Sequence, residues 1–386
     1  MLVRKKIDNL FSHFEKTFIT QNNITVSRAA ILHNLNLFAD STQQTIIPVL
    51  KGNAYGHGIA QITRILEGQK LSYVAVDGYF EALRIREVSK LPILILGAID
   101  IRNYANLNYA NFAFSVQDKA TIEALASTGK QINVHLECNT GMNRYGAQLN
   151  EIDTLTRLIL SHKNLHLEGV MTHLADSTAE TNNTIDTASK LYDQCIEIVL
   201  SCGAQPRWYH IAQSAGAIRV ISKYSNAIRL GIGLYGINPF EATHALHDQF
   251  AKTLQPALSL TSTLTKINRL AAGDQVSYGY TFTAKKAMTI GVIPFGYYEG
   301  IDRNAYSNAG IVHISDHDTP VIGRVCMNHT MISLDGIDAK IGDPVTIYSN
   351  KLASKLSIDK LAQRYHLFTY EMLARLSSDI RRQLVD

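Results

Sequence analysis

Between residues 46 and 232 the sequence alternates short apolar runs of strand length with stretches in which apolar residues recur at helical spacing. The first run is Ile46-Ile47-Pro48-Val49-Leu50, and others lie near 72–76, 92–97, 111–115, 131–137, 165–173, 207–211 and 226–232. Most intervals between them carry a helical period, such as Ile59/Ile62/Leu66 or Leu191/Cys195/Ile198. A further helix, with Ser27 as N-cap and Ile31, Leu32 and Leu35 on one face, leads into the first strand. Eight strands alternating with helices over about 200 residues predict an α/β fold of the (β/α)8 type, whose active site forms at the C-terminal ends of the strands. Lys51, Glu137, His173 and Arg229 all fall at or close to such ends.

After Pro239 the texture changes. From Pro256 onward the chain consists of β-rich runs broken by turn signals, among them Ala272-Gly273-Asp274, Asp335-Gly336 and Gly342-Asp343-Pro344, with a helical stretch at 358–364. The expected organisation is an N-terminal arm (1–23), a barrel (24–240) and a mainly β C-terminal domain (241–386), with 240–255 as the linker. In the arm, Ile7, Leu10, Phe11 and Phe14 suggest a short amphipathic helix.

Composition narrows the function classes. The 386 residues are 46% apolar with a net charge of +4, enough for an ample core. No basic stripe of the kind nucleic-acid binding needs is present. No segment approaches the roughly 18 uninterrupted apolar residues of a membrane-spanning helix, and no apolar leader follows the basic start. Cys138, Cys195, Cys202 and Cys326 show no paired ligand spacing, so neither a metal site nor a disulfide framework is expected, and a cytoplasmic location is.

The first strand ends on a single lysine, followed by Gly52-Asn53-Ala54-Tyr55-Gly56-His57-Gly58. The glycines permit close backbone approach to a ligand, and a partly desolvated lysine can lose its proton and form a Schiff base. Val49-Leu50-Lys51-Gly52-Asn53-Ala54-Tyr55-Gly56-His57-Gly58 closely resembles the lysine motif of the alanine racemase family, pyridoxal-phosphate enzymes of fold type III in which this lysine holds the cofactor.

Further blocks resemble the same family in the same order. Thr140-Gly141-Met142-Asn143-Arg144-Tyr145-Gly146 is similar to the loop whose arginine meets the substrate carboxylate, which implies that role for Arg144. A guanidinium suits it through paired, charge-assisted hydrogen bonds. Many members carry a lysine, modified to a carbamate, where this chain has Glu137, and an aspartate where it has Asn139. Glu137 already bears a carboxylate, so it is expected to support Arg144 without modification. Asn139 resembles the residue of some broad-specificity relatives. Thr172-His173 matches the family's ring-contacting histidine. Ser214, Gly231 and Ile232 sit in the loops after strands seven and eight, where barrels commonly bind phosphate. The resemblance adds the hydroxyls of Tyr55 and Tyr370, and matches Arg229 to the arginine facing the pyridine nitrogen. A guanidinium there keeps its own proton, leaving the ring a weaker electron sink and limiting transamination.

Racemisation needs a base on each face of the α-carbon. Lys51 can serve one. The resemblance implies that the other is Tyr278 in Val276-Ser277-Tyr278-Gly279, supplied by the partner in a head-to-tail homodimer, with a nearby pair of His173 and Arg229 favouring its phenolate. It also implies that Tyr297, in Gly296-Tyr297-Tyr298-Glu299-Gly300, narrows the entrance, and that Met327, in Gly323-Arg324-Val325-Cys326-Met327-Asn328, contacts substrate through its backbone N–H. Glu299 and Asn328 replace acids common at those places, and Thr369 replaces the asparagine before Tyr370. The expected activity is therefore that of an alanine racemase supplying D-alanine for the cell wall. A racemase of broader range, acting on serine or lysine, is the first alternative. A non-catalytic pyridoxal-phosphate protein would lack the C-terminal domain and its tyrosine, and a decarboxylase of the same barrel type would carry a carboxylate in place of Arg229.

Overall fold

The computed structural model describes residues 18–386; the arm helix expected around Ile7–Phe14 lies outside the described residues. Among the described residues the first elements are strand β1 (Asn23–Ser27) and a helix, Arg28–Thr42, whose first turn is capped by the Ser27 hydroxyl accepting from Ala30 N–H at 3.1 Å. Eight parallel strands follow: β2 (Thr45–Pro48), β3 (Val74–Val76), β4 (Ile93–Ile95), β5 (Phe112–Val116), β6 (Ile132–Glu137), β7 (Leu165–Met171), β8 (Trp208–Gln213) and β9 (Ala227–Leu230). They pair in the order β2-β9-β8-β7-β6-β5-β4-β3, and a single bridge, Val49 with Ala75, joins the two ends into a barrel. The apolar runs become strands because both faces are buried. Side chains such as Ile47, Ala75, Leu94, Ala113 and Ala227 fill the interior, while Ile46, Val74, Val76, Ile93 and Ile95 pack outward under the helices.

The segment 240–255, expected as a linker, is packed down rather than free. It contains the turn of helix His247–Ala251, and Phe250 stacks on Phe38 with ring centres 5.3 Å apart. The second half of the chain is sheet-rich: β10 (Leu258–Thr263), β11 (Lys266–Leu270), β12 (Gln275–Val276), β13 (Phe282–Thr283), β14 (Met288–Ile293), β15 (Ile311–Ile314), β16 (His317–Pro320), β17 (Thr330–Ser333), β18 (Pro344–Tyr348) and β19 (Arg381–Val385). The larger sheet runs β16-β15-β18-β10-β1-β19, and β11-β14-β17 form a second. Residues 24–27, grouped with the barrel from sequence, thus lie in this sheet, antiparallel to β10 and parallel to β19. Both ends of the described chain meet there. Among the described residues no helix is long and apolar enough to cross a membrane.

Candidate active site

A cavity of about 800 Å³ opens at the C-terminal ends of the barrel strands. It is the right size for a small-molecule site. Ten of the residues singled out from sequence line it: Lys51, Tyr55, Glu137, Arg144, His173, Ser214, Arg229, Gly231, Ile232 and Tyr370. They come from seven separate stretches of chain, and the barrel closure is what gathers them.

Lys51 follows β2, and its ammonium lies 3.6 Å from Asp77 at the end of β3. The turn after it, read from sequence as a loop of small residues, is a left-handed helical turn: φ is 63° at Gly52, 54° at Asn53 and Ala54, and 50° at Tyr55. Non-glycine residues adopt this conformation at a cost of about 1–2 kcal/mol each, so surrounding contacts must impose it. Two contacts that do so are the Glu81 carboxylate, which accepts from Gly52 N–H at 2.7 Å and Asp77 N–H at 3.0 Å, and Asn53 Oδ1, which accepts from Ile59 N–H at 2.9 Å. The turn aims Tyr55 at the ends of β8 and β9. A Cβ at Gly231 would fall 2.7 Å from the Tyr55 hydroxyl, so glycine is required there for that hydroxyl to keep its place.

Ser214 Oγ accepts from Gly233 N–H at 3.1 Å, which leaves the hydroxyl hydrogen to donate. The turn Ile232–Tyr235 starts beside it, and its first N–H groups have no partner within the turn. Tyr370 stands 6.0 Å from Tyr55, ring centre to centre, and burial raises its phenol to about 12. Both tyrosines therefore stay protonated and able to donate. Hydroxyls and turn N–H groups converge at one end of the cavity, an arrangement that could hold an anion such as phosphate.

Arg229 is buried beneath the opposite part of the cavity. Its guanidinium donates to Thr172 O at 2.6 Å, His210 O at 2.7 Å and His210 Nδ1 at 2.7 Å, and lies 3.3 Å from His173 Nδ1. Burial lowers its pKa to about 10, with Glu137 the main charge opposing that shift, so it remains protonated at neutral pH. Facing that charge, His173 is pushed down to about 3, mainly by burial and then by Arg229. Because His210 Nδ1 accepts from the Arg229 guanidinium, its Nε2 carries the hydrogen and donates to His135 Nδ1, 2.8 Å away. Neither histidine was assigned a role from sequence; their regular in-facing positions on β6 and β8 were the available signal.

Glu137 is buried at the end of β6, where desolvation raises its pKa against the pull of Arg229, Ser115 and Arg144. Its hydrogen bond is with Ser115 Oγ at 3.1 Å. Among the described residues it forms no ion pair with Arg144, and the two charges act on each other through space. The loop bearing Arg144 is instead shaped by Asn139, whose Oδ1 accepts from Gly141 and Asn143 N–H, each at 3.1 Å. Asp77 is a cavity residue that sequence inspection passed over; a carboxylate just past an apolar barrel strand was its signal.

Tyr278, Tyr297 and Met327 do not line this cavity. They are brought together elsewhere, on the C-terminal domain. Tyr297 N–H donates to Cys326 O at 3.2 Å and Tyr298 N–H to Met327 O at 2.9 Å, while a Cβ at Gly323 would lie 2.9 Å from Ser277 Cβ. The two substituted acids fit one another, since Asn328 Nδ2 donates to Glu299 at 2.9 Å where an aspartate would repel it.

Both halves of the chain have known relatives. The family model described as alanine racemase, N-terminal domain, matches residues 26–239, and that described as alanine racemase, C-terminal domain, matches residues 257–384. The chain belongs to the alanine racemase family. An alanine racemase of Leptospira interrogans is 32% identical over 376 residues, covering 94% of this chain and 95% of its own, and one of Anoxybacillus flavithermus is 32% identical over 378 residues, covering 95% and 96%. Among solved structures, the alanine racemase of Clostridium difficile 630 superposes with a TM-score of 0.88 at 25% identity, covering 96% of this chain and 97% of its own. That of Bacillus anthracis with bound L-Ala-P gives 0.87 at 26% identity, covering 96% of each. The alanine racemase relatives thus share both halves of this chain, barrel and sheet domain alike.

Proposed function

We propose that this chain interconverts L- and D-alanine with the help of pyridoxal 5'-phosphate, in the cytoplasm, and that two copies of the chain complete each site. The observation that carries the reading is the gathering, in one cavity, of a strand-end lysine, a buried guanidinium and an anion site of hydroxyls and turn N–H groups. The residues fit the cofactor: Tyr55, Ser214, Tyr370 and the N–H groups of Gly231 and Ile232 would hold its phosphate, Lys51 its aldehyde carbon and Arg229 its ring nitrogen. The hydroxyl of Tyr55 set against a glycine leaves room for a phosphate oxygen that any side chain at 231 would fill. When bound, pyridoxal phosphate makes the α-hydrogen of an amino acid acidic by delocalising charge into its ring.

The protein's own residues then divide the work. Arg229, protonated and held by three carbonyl and imidazole acceptors, donates toward the ring without yielding its proton. Arg144 orients the substrate carboxylate, and Glu137 supplies an opposing charge nearby. With the substrate's amino group taking the place of Lys51 at the aldehyde carbon, the freed Lys51 amine would remove or return the α-proton on one face, and the Tyr278 hydroxyl of a second copy would serve the other. Exposure of Tyr278 on the C-terminal domain supports that division, because a base outside its own chain's cavity must act in another's. The four free cysteines support the cytoplasmic assignment.

Chiral chromatography of the cofactor-loaded protein, given L-alanine, L-serine, L-lysine and L-arginine separately, tests the proposal. D-alanine formed far faster than the other D-isomers is the expected result. Comparable turnover of the larger substrates would make it a broad racemase, and no turnover with cofactor bound would make it a binding protein.

A further inference from the structure

The last strand of the chain reaches the candidate site through one side chain. Arg382, in β19, is buried, and its guanidinium donates to five backbone carbonyls: Gly56 at 2.9 Å, Ile380 at 2.7 Å, Ser377 at 2.9 Å, Ser378 at 3.3 Å and Leu376 at 3.3 Å. Among the described residues it forms no ion pair with a carboxylate. Desolvating a guanidinium is costly, and here carbonyl dipoles compensate, so each donor that lost its carbonyl would be left buried and unpaired.

The five carbonyls belong to two segments, and each carries one tyrosine of the anion site. Gly56 closes the left-handed turn that holds Tyr55, while residues 376–380 follow the helix Thr369–Ala374 that holds Tyr370. The two segments already touch. A Cβ at Gly56 would lie 2.1 Å from Leu373 O, and one at Gly58 would lie 2.7 Å from Arg382 Cδ. A left-handed turn of non-glycine residues keeps its shape only where its surroundings impose it, and the Gly56 carbonyl is the end of that turn to which Arg382 is fastened.

We infer that Arg382 is a positioning residue for phosphate binding: by joining the Gly56 carbonyl to the backbone behind the Tyr370 helix, it sets the separation of the Tyr55 and Tyr370 hydroxyls. The inference rests on the proposed use of pyridoxal phosphate and extends it to a residue just outside the cavity lining. It also makes the phosphate end of the site a joint product of the barrel and the C-terminal strand of the same chain.

The test uses full-length apo protein, wild type and the variants Arg382→Lys and Arg382→Met, titrated with pyridoxal 5'-phosphate and, separately, with pyridoxal. Amide exchange is followed by mass spectrometry. The expected result is about a tenfold weaker affinity for pyridoxal phosphate in Arg382→Lys and a larger loss in Arg382→Met. Affinity for pyridoxal, which has no phosphate, should stay the same. Exchange should accelerate at 52–58 but not in β10 or β18. Unchanged affinity for pyridoxal phosphate would overturn the inference, and so would equal losses for both ligands or faster exchange throughout the larger sheet, since these mark a general structural role. Should Arg382→Met fail to fold, Arg382→Lys, which keeps the charge and one set of donors, decides the matter. Failure of the wild type to bind pyridoxal phosphate would instead overturn the functional proposal itself, and the inference with it.

Discussion

The barrel and the C-terminal domain prepare their shares of the candidate site in opposite ways. In the barrel, Arg229 and His210 are almost wholly buried, each with several partners, and the Lys51 turn is clamped in an unfavourable conformation. On the C-terminal domain, Tyr278 and Tyr280 are 66% and 67% exposed, Met327 is 53% exposed and Tyr297 40%. One half is desolvated and hydrogen-bonded in place. The other is an exposed aromatic surface, to which the proposed function gives a role against a second copy. Charge placement that must be accurate is built where water is excluded, while a side chain proposed to serve another copy's cavity stands in the open on its own chain.

The comparison can be broken most directly at Lys51. Replacing it by alanine should lower racemisation of alanine by about 10⁴-fold while leaving the fold and thermal transition nearly unchanged. Tyr278→Phe should cost about 10²–10³-fold. If the two halves come from different copies, mixing the Lys51→Ala and Tyr278→Phe proteins should restore roughly a quarter of wild-type activity, because half the random pairs would then carry one intact site. Recovery of nothing would place both residues in one copy's site.

Acid should separate the halves by stability. Burial lowers His57 to about 4 and His135 to about 3, with His173 at about 3 and His210 also far below its ordinary value. All four lie on the barrel side. The unfolded chain takes up these protons below about pH 6.5 and the folded chain refuses them, so their contribution is fully present above that pH and is lost as pH falls towards 4, by up to about 1.4 kcal/mol per pH unit for each histidine. Glu137 and Asp359, the latter raised to about 6, work in the opposite sense. Four groups outweigh two. Urea midpoints should therefore drop between pH 7 and pH 5, with amide exchange accelerating in the barrel before the larger sheet.

Smaller effects sharpen the contrast. Asn328→Asp would set a second carboxylate against Glu299 and should destabilise the C-terminal domain by about 1 kcal/mol in urea unfolding, an effect that Glu299→Gln in the same protein should relieve. Glu137→Gln should raise the KM for alanine roughly fivefold with little change in kcat, as expected for a charge that acts on Arg144 through space. A large fall in kcat would show that the carboxylate does more.

Much of the barrel was legible because its strands are continuous apolar runs, and periodicity marks those wherever they occur. Of the ten cavity residues, Lys51, Glu137, His173 and Arg229 were legible for a related reason, since strand ends in such a barrel converge on one place; Ser214, Gly231 and Ile232 followed from the loops after the last two strands, and Tyr55, Arg144 and Tyr370 from the resemblance to the family alone. Residues working through others left weaker marks. Glu81 caps backbone N–H groups from within a helix, Arg382 sits in an ordinary-looking terminal strand, and His135 looks like any in-facing residue of β6. Their partners are backbone atoms or, for His135, a side chain 75 residues away, and spacing along a chain records neither.

By itself the sequence determined the alternation that closes into a barrel, the order of the motifs and therefore the family, since local patterning and residue type suffice for each. Only the tertiary structure decided the left-handed course of residues 52–55, the membership of Asn23–Ser27 in the far sheet and the loss of direct contact between Glu137 and Arg144. Those outcomes depend on which distant backbone and charges happen to be within a few ångströms, and that distance is set by the packed fold as a whole.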